Sequence, residues 1–250
     1  MISEQISKLR ELLASSDRIV VFTGAGISTE SGIPDFRSPN GIWSKMAPIE
    51  YQDFVSSEEM RREAWRRKIV IDKDIQKAEP NRGHRALAKL VDSGKCFCVI
   101  TQNIDGLHQA SGIPSEKIVE IHGNGTYAKC LSCTKRFELT DIYAAFNRDE
   151  TLPICDSCGG IVKTATISFG QAMPEDEMQR AEYAANSCDL MIAIGSSLVV
   201  YPAAGFPIYA KRNGAKLVII NREETEQDQI ADLVLNAEIG DTLGAALEVD

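Results

Sequence analysis

Five times along this chain a short run rich in valine and isoleucine stops abruptly at glycine or a small polar residue. The runs are Ile19-Val-Val-Phe-Thr before Gly24, Phe97-Cys-Val-Ile-Thr before Gln102, Ile118-Val-Glu-Ile before His122, Leu190-Met-Ile-Ala-Ile before Gly195 and Leu217-Val-Ile-Ile before Asn221. Continuous apolar runs of this length predict strands buried on both faces of a parallel sheet. Helical patterns over Gly83–Val91 and Glu175–Ala185 lie between them, and Ile2, Ile6, Leu9, Leu12 and Leu13 recur at helical spacing at the start. Strands alternating with helices predict an α/β fold with crossover helices.

Two stretches break the alternation. Residues 41–79 are helical and charged and carry both tryptophans, and residues 126–164 carry two cysteine pairs. Together they predict a small domain, a helical insert plus a ribbon, beside a Rossmann-like domain formed by 1–40, 80–125 and 165–250. The 250 residues are enough for a full core.

The 27 basic and 36 acidic residues leave a net charge of −9. That balance argues against broad capture of nucleic acid or of an anionic membrane. Arg61, Arg62, Arg66, Arg67 and Lys68 form a local basic exception, read as a solvated helix face or as a dock for an acidic partner. No apolar run approaches the ~18 residues that cross a bilayer, and the N-terminus has no signal-peptide pattern. A cytoplasmic location is expected. There the seven cysteines stay reduced, which favours metal ligation over disulfides.

In an open parallel sheet, ligands bind beyond the carboxyl ends of the strands. That rule gathers Gly24, Ala25, Gly26, Gln102, Asn103, Ile104, Asp105, His122, Ser196, Ser197 and Asn221 around one crevice. A glycine turn, amides, a carboxylate, an imidazole and hydroxyls suit a nucleotide site with catalytic groups. Gly24-Ala-Gly26 either lets backbone approach a pyrophosphate or makes a tight structural turn. Thr29 occupies the place of the third glycine of the dinucleotide fingerprint, so ordinary hydride transfer is not the natural reading.

Cys130-x-x-Cys133 and Cys155-x-x-Cys158 have the spacing of two zinc knuckles. Four thiolates leave no open coordination position, so the ion they imply is structural. Cys96 and Cys98 alternate along a strand and are expected on one face as inert buried thiols, with Cys188 read likewise. His84 reads as structural. His108 is read as structural before cleft-facing, while His122, at a strand end before Gly123, suits either a catalytic or a structural role.

Gly24-Ala-Gly-Ile-Ser-Thr-Glu-Ser-Gly-Ile-Pro-Asp-Phe-Arg37 resembles the signature of the sirtuins, the NAD-dependent protein deacylases. Thr101–His108, Glu120–Gly123, the cysteine quartet, Gly195–Ala204 and Ile219–Asn221 resemble its remaining blocks in the same order. The resemblance implies NAD as co-substrate, one structural zinc ion, and an acylated-lysine protein or peptide as partner, with no nucleic acid and no membrane. Gly24, Ala25, Gly26, Thr29, Asp35, Phe36 and Arg37 are implied to form the NAD loop. Gln102, Asn103, Ile104 and Asp105 are implied to shape the nicotinamide pocket, and Ser197, Asn221 and Ile239 to hold the adenosine side, with Gly195 and Ser196 also implied to bind the cofactor. His122, Asn103 and Asp105 are the implied catalytic set. His122 would serve as general base toward a ribose hydroxyl, a task that suits an imidazole.

Mono-ADP-ribosyl transfer by the same site, and a non-catalytic nucleotide-sensing or zinc-ribbon interaction module, are the alternatives. Two departures from the sirtuin pattern are visible: Ile167–Gln171 in the substrate-pairing segment, and Lys163-Thr164 in place of Arg-Pro. Members that favour succinyl or malonyl groups carry a Tyr-x-x-Arg pair in the insert. The most similar stretch here, Glu63-Ala-Trp-Arg66, implies a preference for neutral acyl groups such as acetyl.

Overall fold

The computed structural model describes residues 2–36 and 41–250. In chain order the strands are β1 (Ile19–Thr23), β2 (Cys96–Thr101), β3 (Ile118–Glu120), β4 (Gly123–Cys130), β5 (Arg136–Glu138), β6 (Val162–Thr166), β7 (Leu190–Ile194), β8 (Lys216–Ile220) and β9 (Leu233–Leu235). Among the described residues six of them pair in parallel in the order β3-β2-β1-β7-β8-β9. Every residue of β1 and β7 is buried, as a sheet covered on both faces requires.

One face of the sheet presents Val21 and Ile192 to Leu9, Leu87 and Leu243, which come from the helices Ile2–Ser15, Arg82–Asp92 and Ile239–Leu247. The other presents Phe22 and Met191 to Ala181, Ala184, Phe206 and Ala210 on the helices Glu175–Ser187 and Gly205–Arg212. The helix over Arg82–Asp92 starts where Asn81 caps it: its side chain accepts from the backbone N–H of His84 at 3.2 Å.

Two details differ from the sequence reading. Cys96 and Cys98 are both buried, but they lie on opposite faces of the sheet. Ile19 pairs with Cys96 and Val20 with Cys98, so Phe97 is an extra residue in β2 and the bulge reverses the alternation. The sheet also gains β9, a three-residue edge between Asp232 and Asn236 that is too short to register as an apolar run.

β4 is the centre of a second, antiparallel sheet in the order β5-β4-β6. Its core gathers Trp65 from the helix Glu58–Ile75, Phe146 from the helix Leu139–Asp149, Ala128 and Val162, with Trp65 edge-on to Tyr143 at 6.4 Å. Each cation of the basic stretch is engaged within the fold. Arg61 donates to the carbonyls of Phe54 and Val55, and Arg62 pairs with Glu58. Arg66 pairs with Glu59 and Glu150, Arg67 with Glu63, and Lys68 with Asp72. The stretch is therefore a helix face whose cations are engaged within the fold.

From β1 the chain order runs outward to β2 and β3 on one side and to β7, β8 and β9 on the other. This reversal opens a crevice at the carboxyl ends of the strands.

Candidate active site

The crevice is built from strand ends. Gly24 follows β1 and opens the short 3-10 helix Ala25–Ser31; Gly195 follows β7. The two turns pack backbone to backbone: Gly26 N–H donates to Gly195 O at 2.8 Å, and Gly24 N–H to Ile194 O at 2.9 Å. A Cβ on Gly26 would come within 2.7 Å of Gly195 Cα. The glycines thus satisfy a structural need, and the same turn leaves Gly24, Ala25 and Gly26 lining the cleft. At the end of β2, Gln102 Nε2 donates to Ser196 Oγ at 2.9 Å, tying two strand tips together across β1.

His122 sits between β3 and β4, where the chain leaves the large sheet for the small one. Its carbonyl accepts from Ile167 N–H at 2.8 Å. Gly123 has φ 74°, and a Cβ there would collide with the carbonyl oxygen of Ala165, so only glycine permits this approach. The ring Nδ1 lies 3.2 Å from Gln102 O. A carbonyl can only accept, so Nδ1 carries the proton and Nε2 is the basic nitrogen.

Asn103 is 6% exposed, and its Nδ2 donates to Gly24 O at 3.1 Å and Ser28 Oγ at 3.3 Å. Asp105 is not among the residues that line the cleft. Its carboxylate lies behind them, accepting from Ser28 Oγ at 2.7 Å and from Leu107 N–H at 2.9 Å. His84 and His108 lie in the core, their rings 5.2 Å apart. Burial holds His108 down at about 4; burial and the neighbouring His108 hold His84 at about 3, so both are neutral near pH 7.

The cleft encloses about 590 Å³, a volume in the range of small-molecule sites. Thr29, Asp35, Phe36, Gln102, Asn103, Ile104, His122, Gly195, Ser196, Ser197, Asn221 and Ile239 all line it. Arg37 lies outside the described residues. Backbone of a glycine turn, six hydroxyl or amide side chains and an apolar flank form a donor set that fits a dinucleotide. Phe36, Trp43 and Phe169 form one aromatic chain with ring centroids 5.4 Å apart at each step.

The sequence reading missed Glu30, Trp43, Arg67, Lys68, Tyr201, Arg222 and Glu223, which also line the cleft. Arg222 and Glu223 follow Asn221 at the end of β8, so the strand-end rule could have reached them. Nothing in that rule reaches the insert. Glu63 and Arg66 do not line the cleft; Ala64, Arg67, Lys68 and Ile71 do. This corrects the expected register by one residue, because 64, 67, 68 and 71 share one helical face. Arg67 is braced there by Glu63 Oε1 and Ala47 O, each at 2.6 Å.

Away from the cleft, the sulfurs of Cys130, Cys133, Cys155 and Cys158 lie within 4.8 Å of one another. Cys130 and Cys158 Sγ are 3.5 Å apart, and Cys133 and Cys155 Sγ 3.6 Å. Tetrahedral zinc with Zn–S near ~2.3 Å spaces sulfurs about 3.8 Å apart, so the four thiols fit the ion. The backbone N–H of Ser132 donates to Cys130 Sγ at 3.3 Å, as in a metal knuckle.

A glycine turn at the switch point of a parallel sheet, joined to a four-cysteine ribbon, defines a nucleotide-binding α/β protein with a small body whose four thiols fit a structural metal. More narrowly, the chain belongs to the Sir2 family, whose profile matches residues 24–202. It is 57% identical over 243 residues to an NAD-dependent protein deacetylase of Rhodopseudomonas palustris, covering 97% of this chain and 96% of that one. It is 58% identical to NAD-dependent protein deacetylase 1 of Bradyrhizobium diazoefficiens, covering 96% and 94%. A solved structure of Sir2 with a p53 peptide and NAD+ superposes with a TM-score of 0.88 at 37% identity, covering 97% of each chain.

Proposed function

We propose that this chain is an NAD-dependent protein lysine deacetylase. It converts acetyl-lysine, NAD and water to lysine, nicotinamide and O-acetyl-ADP-ribose. The observation that carries the reading is His122: its proton is fixed on Nδ1, and the ring stands on the wall of a cleft whose other end is a glycine turn. The family relationship and the deacetylase relatives support it. Bound NAD supplies the electrophilic ribose carbon, with nicotinamide as the leaving group.

The chain's own residues do the rest. The Gly24–Gly26 turn, where the absence of side chains on the two glycines lets backbone come close, receives the pyrophosphate. Ser197, Asn221 and Ile239 hold the adenosine side; Gln102, Asn103 and Ile104 hold the nicotinamide side. Phe36, with Trp43 and Phe169 behind it, excludes water from the reacting carbon. His122 takes a ribose hydroxyl proton at Nε2. Asp105 acts through Ser28, whose hydroxyl it holds at 2.7 Å beside Asn103 Nδ2. The zinc ion is structural and holds the ribbon.

Residues 1–40, 80–125 and 165–250 make the NAD-binding domain, and 41–79 and 126–164 the small one; their separate cores support that division. The acetylated peptide enters past Phe169 and Tyr201, both exposed at the cleft rim. No helix among the described residues is long and apolar enough to cross a membrane. Seven cysteines, four of them gathered for a metal, support a reducing, cytoplasmic setting. The test is nicotinamide release from NAD, measured with acetylated and unacetylated copies of one peptide. Release that ignores acetylation overturns the reading.

A further inference from the structure

Behind the cleft lies a polar path that the reaction does not use directly. His108 is 2% exposed, and its Nε2 lies 2.9 Å from Thr23 Oγ1 at the end of β1. Thr23 Oγ1 donates to Thr101 Oγ1 at 2.8 Å, at the end of β2. Thr101 Oγ1 in turn accepts from the backbone N–H of Asn103 at 3.0 Å. A hydroxyl has one proton, so Thr23 accepts from His108, which places the ring proton on Nε2 and leaves Nδ1 bare.

His108 Nδ1 and both ring nitrogens of His84 are buried without hydrogen-bond partners among the described residues. Unpaired buried nitrogens are unfavourable, and apolar rings would fill the same space without them. Among the described residues the bond to Thr23 is the one hydrogen bond that either ring makes, and it leads to Asn103, proposed above for the nicotinamide side.

We propose that His108 is a positioning residue: through Thr23 and Thr101 it fixes the backbone of Asn103 and so aims its side chain into the cleft. His84 backs the ring in tilted contact, the two planes 59° apart. The inference rests on the proposed role of Asn103.

The test compares His108→Leu, His108→Gln, Thr23→Val and the double variant His108→Leu/Thr23→Val with Asn103→Ala. Leucine fills the space without a donor; glutamine returns an N–H near the position of Nε2; valine removes the Thr23 hydroxyl at constant shape. His108→Leu and Thr23→Val should each lower kcat about tenfold or more with KM for NAD little changed. The two losses should not multiply in the double variant. His108→Gln should recover most of the rate.

Normal turnover in a folded His108→Leu or in Thr23→Val, multiplying losses, or rates that merely follow Tm would overturn the proposal. If His108→Leu does not fold, Thr23→Val decides. Normal turnover in Asn103→Ala would overturn the role of Asn103 and the proposal with it. A crippled Asn103→Ala beside harmless His108→Leu and Thr23→Val would remove the positioning role alone.

Discussion

The Nδ1 of His122 lies 3.2 Å from the carbonyl oxygen of Gln102, whose own side chain binds Ser196 at the tip of β7. One hydrogen bond thus sets the tautomer of the candidate base and ties it to the strand ends that line the cleft. His122→Ala should lose roughly 10²–10⁴ in turnover, the usual worth of a general base. NAD binding, measured by calorimetry, should survive, because the glycine turn and Asn221 do not depend on the imidazole. Near-normal turnover would place the base elsewhere.

The metal prediction concerns folding. Four thiols close the coordination shell, and the strands that flank β4 in the ribbon sheet are short. Metal analysis should find about one zinc per chain. Chelation, or Cys130→Ser, should lower Tm and activity together, since binding free energy at such sites is folding free energy. A folded, active protein without zinc would contradict this.

Lys163 is 3% exposed, and its ammonium donates to Thr166 O at 2.6 Å, with no carboxylate partner among the described residues. Burial pushes it down to about 8. Above that pH the folded chain has released a proton that the unfolded chain still holds, up to the ordinary lysine value near ~10.4. Stability should therefore rise between about pH 8 and pH 10.4, by at most roughly 3 kcal/mol from this residue. Lys163→Met should abolish that rise, and at pH 7 it should unfold at higher urea than the parent. Identical pH slopes for parent and variant would show that the ammonium is well solvated.

Acyl preference follows from the insert face that lines the cleft. Arg67 is already paired with Glu63, Lys68 with Asp72, and Ala64 brings no hydroxyl. A substrate carboxylate would have to break one of these pairs to gain a charge-assisted bond. Acetyl peptide should exceed succinyl peptide in kcat/KM by about tenfold or more, or ~1.4 kcal/mol. Equal values would show that Arg67 leaves Glu63 for the substrate.

The strands, the strand-end cluster and the cysteine quartet were legible because each leaves a local mark: an unbroken apolar run, an abrupt polar stop, a fixed ligand spacing. Four things were not. The bulge at Phe97 obeys pairing with β1, which the β2 sequence does not display. The three residues of β9 are ordered by their neighbour β8. The cleft face of the helix Glu58–Ile75 depends on how that helix docks, so Arg66 and Arg67 could not be told apart. Asp105 was grouped with the cleft by its place after β2, yet Ser28 and Leu107 hold its carboxylate behind the wall.

The most direct measurement is the product balance of one reaction with NAD and an acetylated peptide, followed by mass spectrometry. Each nicotinamide released should be matched by one deacetylated lysine and one O-acetyl-ADP-ribose. Nicotinamide accompanied by ADP-ribosylated protein, or by ADP-ribose with the peptide still acetylated, would contradict the account.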